Sequence, residues 1–128
     1  MEDPHDIQGI EFDWFAVDRS GCVALFATAG NGPVPASVLV SSDAHCAIGD
    51  SITVFGFGSP EVWQSYAHAG LYAFDWSNSQ SSYIRVAEPT EGVEFNQANA
   101  VAAIPGLPRL PLPFSAVAAI SPWWQNGT

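Results

Sequence analysis

Residues 10–35 alternate, turn, alternate again and then break, and few architectures accept that order. Ile10, Phe12, Trp14 and Ala16 interleave with Glu11, Asp13, Phe15 and Val17. A period of two predicts a strand, and aromatic and β-branched side chains suit a pleated, partly buried surface. Asp18-Arg19-Ser20-Gly21 comes next. Asp can accept bonds from its own backbone at the start of a turn, and Gly supplies a positive φ at its end. The run from Cys22 to Thr28 then reads as the returning strand of a hairpin.

The two faces of the first strand differ. One carries Ile10, Phe12, Trp14 and Ala16; the other opens with Glu11 and Asp13 before turning apolar. One covered face and one partly wet face are expected of an antiparallel sheet. Ala29-Gly-Asn-Gly-Pro-Val-Pro35 cannot continue a ladder, so it predicts a corner where the chain leaves the sheet.

Downstream, Val38, Ser42, His45, Ile48, Ile52 and Phe55 recur at helical spacing. They predict one helix from about Pro35 to about Phe55, bent or broken near Gly49. Ser59-Pro60-Glu61 is a helix start and Gly70 a stop, with Val62, Trp63, Tyr66 and Ala67 between them. Leu71 to Trp76 and Tyr83 to Ala87 predict a second hairpin around a polar turn. Pro105, Pro108, Pro111 and Pro113 impose an extended path, and residues 114–120 read as a last strand. The sum is one α+β domain over residues 1–128, with residues 1–9 as a flexible leader. Its expected core is an antiparallel sheet of about five strands: two hairpins, a C-terminal strand, and one main helix packed on one face.

Charge narrows the function. Thirteen acidic residues face three arginines (Arg19, Arg85, Arg109) and no lysine, for a formal net charge of −10. Phosphate binding needs cations, so neither nucleic acid nor an anionic membrane is an expected partner. A basic protein partner is, because complementary potentials speed encounter and reject wrong pairings. The acidic N-terminus MEDPHDIQG does not resemble a signal peptide, and no apolar run reaches the length of a membrane span. A cytoplasmic location is expected, with Cys22 and Cys46 as reduced, buried thiols.

No complete catalytic set emerges, so an enzyme is not the leading expectation and no cofactor or metal is predicted. Asp13 and Asp75 sit in a repeated Phe-Asp-Trp tripeptide, at 12–14 and 74–76. Adjacent strands can bring two such carboxylates together as acid and base, yet exposed strand acids are ordinary. Arg85 is placed to pair with Asp75 across the second hairpin. His45 falls on an apolar stripe, where a histidine is more often a core residue than a ligand. Gly49-Asp50-Ser51 lacks the partners of an esterase block. The adjacent Trp123 and Trp124 point to opposite sides of an extended chain, which suits an interface, a homodimer contact included.

Two segments carry a resemblance. The block DWFAVDxxGxVAxFxTxGxGPVP, from Asp13 to Pro35, resembles a group of small uncharacterised bacterial proteins. The stretch from Tyr72 to Val86, Tyr-Ala-Phe-Asp-Trp leading to Tyr-Ile-Arg-Val, is similar to their second block. Some members look like acidic, immunity-type proteins that neutralise a partner. The resemblance supplies no catalytic residues. The leading expectation is a non-enzymatic acidic binding protein with an immunity or antitoxin-like role. Its partner-facing residues are Glu11, Asp13, Asp75, Trp123 and Trp124. The rival is a small enzyme or ligand-binding domain with a pocket near the corner from Gly30 to Pro35, using Asp13, Asp75 or His45.

Overall fold

The computed structural model describes residues 12–52, 54, 59–90 and 98–122. Five strands form one sheet in the order β1-β2-β3-β4-β5: Asp13–Val17, Val23–Ala27, Tyr72–Ser77, Ser82–Ala87 and Ala119–Ile120. Among the described residues four helices accompany it: α1 (Ala36–Val40), α2 (Ser42–Ser51), α3 (Val62–His68) and α4 (Ala98–Ala102). No described helix is long and apolar enough to cross a membrane.

Both predicted hairpins form. β1 pairs with β2 and β3 with β4, each antiparallel, and β5 adds antiparallel to β4. Asp18 makes the first turn: its Oδ1 accepts from Ser20 N at 2.8 Å and Cys22 N at 2.9 Å, while Gly21 takes φ +88°. The central β2–β3 pair is parallel, so the mostly antiparallel sheet is mixed. A parallel return needs a long crossover, and α1, α2 and α3 supply it.

Both faces of this sheet carry a core, where one covered and one partly wet face were expected. Phe15, Val17, Leu25, Ala73 and Leu71 pack with Ile52, Tyr66, Ala67, Val101 and Ile104 from the helical side. Trp14, Ala16, Phe26, Phe74 and Tyr83 pack with Val38, Leu110, Phe114 and Ile120 on the other. The row at the Asp13 end of the helical face is half open at Asp13 and Asp75.

That double coverage explains the broken helix. The bend falls at Ser41 (φ −111°, ψ 26°), and Gly49 lies inside α2. Val38 of α1 enters the aromatic core, whereas Ala44 and Ile48 of α2 enter the opposite one. A single straight helix cannot serve both sides of a sheet. The Ser41 hydroxyl at the bend donates to Pro105 O at 2.7 Å, tying the corner to the proline-rich segment.

The prolines do impose an extended path, and the path has a purpose. Leu107 packs in the helical-side core and Leu110 in the aromatic one, so the chain crosses the edge of β1 between them. There Val17 N donates to Pro108 O and Leu110 N to Val17 O, both at 2.9 Å. The predicted last strand is shorter than expected. Residues Phe114–Ala116 form a 3-10 turn, because Phe114 N donates to Asp18 Oδ2 at 2.9 Å and Arg85 Nη1 grips the carbonyls of Phe114 and Ser115. Only Ala119–Ile120 joins the sheet.

Candidate functional site

The two Phe-Asp-Trp segments flank one strand. Asp13 opposes Ala27, and Ala27 opposes Asp75, so both carboxylates sit in one row on the helical face with an alanine between them. Both are half-buried. The next row, Trp14–Phe26–Phe74, falls on the opposite face, with ring centroids 4.4 Å and 5.0 Å apart in stacked pairs. The repeated tripeptide therefore reflects shared layers: acid to one side, aromatic to the other. Arg85 does not share a face with Asp75. The register sets it opposite Phe74 and sets Ile84 opposite Asp75. Its guanidinium serves Phe114 O at 2.9 Å, Ser115 O at 3.0 Å and Glu88 at 3.3 Å.

His45 also lies on the helical side, at the edge of β1. Its Nδ1 accepts from Phe15 N at 3.1 Å, and its ring stacks on Phe15 with centroids 6.0 Å apart. An Nδ1 that accepts leaves the proton on Nε2, and Nε2 is buried with no hydrogen-bond partner among the described residues. The side chain is 0 % exposed. Burial pushes its pKa from 6.5 down to about 4. The fold thus favours neutral imidazole. Its stabilising contribution is complete above pH 6.5 and is lost as pH falls through about 4, on the order of 3 kcal/mol across that window. A ring whose acceptor nitrogen holds a backbone amide is not free to act as a general base.

The corner from Gly30 to Pro35 closes on Tyr83. The Tyr83 hydroxyl donates to Pro33 O at 2.8 Å and accepts from Trp14 Nε1 at 3.2 Å. Burial holds this phenol far above its ordinary pKa, the Trp14 bond opposes that, and the nearby Asp75 charge adds to it. A Cβ built on Gly32 would lie 2.5 Å from the Tyr83 oxygen and 3.0 Å from Trp76 Cβ. The space a ligand would need at Gly32 is taken by this ring.

Cys22 and Cys46 are exposed and form no disulfide, where buried thiols were expected. Partial burial raises the Cys22 thiol pKa and the Asp18 carboxylate raises it further, so it is a poor nucleophile. Among the described residues, no group of three or more His, Cys, Asp or Glu side chains is placed to hold a metal ion. Glu11, Trp123 and Trp124, expected to face a partner, lie outside the described residues, as does the expected leader. Asp43 and Asp50, seven residues apart on α2, are exposed, as is Glu61 before α3. Helical spacing in the sequence already puts the first two on one face.

No family model matches the chain, and no curated protein or solved structure matches it significantly.

Proposed function

We propose that this chain is a non-enzymatic acidic binding protein that engages a basic protein partner, in an immunity or antitoxin-like role. The observation that carries the reading is how the charges are used. Of three arginines, Arg85 and Arg109 donate to backbone carbonyls of Phe114, Ser115 and Asp18. Those bonds tie down the backbone, and Arg85 also pairs with one exposed acid, Glu88, at 3.3 Å. Among the described residues Asp43, Asp50, Glu61 and Glu88 are exposed, and the formal net charge of the chain is −10. Of the residues weighed for catalysis, His45 holds an edge amide; nearby, Asp18 holds a turn and Tyr83 a corner. Asp13 and Asp75, half open at the end of the sheet, extend the acidic surface. The immunity-type role rests on the resemblance of the two strand blocks.

Immobilised protein exposed to a host lysate at low salt is expected to retain a basic partner, and raising the salt is expected to release it. Mass spectrometry of the eluate reads the outcome. An eluate with no protein enriched over a blank resin at low salt would sink the proposal.

A further inference from the structure

We propose that His45 is an acid-operated latch on the edge of β1, and that its protonation frees that edge to pair with β1 of a second copy of this chain. Among the described residues β1 is the terminal strand of the sheet, and a terminal strand presents backbone groups that another strand can take up. Two devices cover it. At Val17 the proline-rich segment supplies Pro108 O and Leu110 N. At Phe15 the cover is a titratable side chain, His45 Nδ1 at 3.1 Å. The segment cannot respond to pH; the imidazole must. A protonated ring has no acceptor, so two N–H groups would then face each other at Phe15. Nε2 adds to the instability, since it is already a buried donor with no partner among the described residues.

The groups around the latch agree with this. α2 packs against β1, α1 and α4. α1 (Ala36–Val40) and α4 (Ala98–Ala102) contain no titratable side chain. On α2 itself Asp43 and Asp50 are exposed, and Cys46 is exposed beside His45. On the helical face of β1 the titratable group is Asp13, two residues from Phe15. A carboxylate there favours the charged ring, yet burial prevails and the ring stays neutral to about pH 4.

A second copy is the occupant that charge selects. At neutral pH two chains of −10 repel one another. The sequence pI is about 4.2, so that repulsion vanishes in the window where His45 takes up its proton. With Val17 still held by the proline-rich segment, the part of the edge left to pair is Asp-Trp-Phe-Ala, apolar beyond its first residue and suited to pairing with itself.

Amide exchange and light scattering between pH 7 and 3.5 test the latch, with His45→Asn as the comparison. Asn can keep an acceptor near Phe15 N and does not titrate, while every carboxylate and the loss of repulsion are retained. In the wild type the Phe15 protection factor should fall roughly tenfold per pH unit between 6.5 and 4, about 300-fold in all. Particle mass should rise in the same range. In His45→Asn both should stay flat. Equal loss in the variant, or a Phe15 amide that stays protected after the His45 ring has titrated, overturns the proposal. So does loss of protection without association. If the variant does not fold, the fall in Phe15 protection must still level off at the pH where the ring protons of wild-type His45 titrate, about 4. A separation of more than about one pH unit overturns the coupling.

Discussion

Replacing Asp18 with alanine should remove on the order of 4 kcal/mol of stability, the largest single-residue loss expected outside the hydrophobic core. Asp18 is 1 % exposed, and its carboxylate accepts three backbone amides: Ser20 and Cys22 within its own turn, and Phe114 at 2.9 Å from the far end of the chain. Bonds to a charged acceptor contribute more than neutral ones, and a buried amide left alone is costly. Water can reach the two turn amides after truncation, but the Phe114 amide is buried. Loss of that bond should also loosen the 3-10 turn whose carbonyls Arg85 holds. Asp18→Asn is the informative partner. Its amide oxygen can serve the turn, while its NH2 meets the Phe114 amide donor to donor, so about half the loss is expected. For a domain of this size, 4 kcal/mol corresponds to about 15 °C in melting temperature. Thermal and urea unfolding followed by circular dichroism measure it. A loss under about 1 kcal/mol for Asp18→Ala would show that the long-range bond contributes little.

Gly32→Ala should destabilise by about 3 kcal/mol, because the new methyl falls on a side chain that cannot move away. The clash is with Tyr83, which is fully buried and fixed by rings on several sides. Trp14 and Phe26 meet it edge to face with centroids 5.7 Å and 5.2 Å away, and Trp76 at 5.0 Å. A shift of the phenol to admit the methyl would break its bonds to Pro33 O and Trp14 Nε1. Gly49→Ala provides the contrast. Nothing lies within 4 Å of its Cβ position, and the residue is inside α2, so alanine should stabilise by about 0.5–1 kcal/mol. Tyr83→Phe removes the oxygen that Gly32→Ala meets. The double variant should therefore be more stable than the sum of the single losses predicts. Strict additivity would place the cost somewhere other than this contact.

Local patterns were legible in the sequence wherever a short stretch decides its own conformation. Period two gave both hairpins, Asp18 and Gly21 marked the first turn, and Ser59 and Gly70 bracketed α3. Long-range decisions were not legible. Nothing near β2 says that its next partner runs parallel; that follows from three helices intervening before β3. The bend at Ser41 is set by which core Val38 and Ile48 must each enter, and a helical period cannot encode two destinations. The last strand shrank because Asp18 and Arg85 seize the backbone at Phe114, partners 96 and 29 residues away. The same limit applied to chemistry. His45 was readable as a core residue, but its role as the cap of an edge amide needs the sheet order. Asp13 and Asp75 were readable as a pair, but not their separation by Ala27.

The proposal of an acidic binding protein is tested most directly by the salt dependence of its affinity for the captured partner. Calorimetry from about 50 mM to 500 mM salt should show the dissociation constant weakening by at least about tenfold, since surface charges more than a Debye length apart are screened over that range. Asp43→Asn with Asp50→Asn should weaken the low-salt affinity and flatten the slope, because both carboxylates stand exposed on one face of α2. An affinity indifferent to salt and to both substitutions would contradict the account.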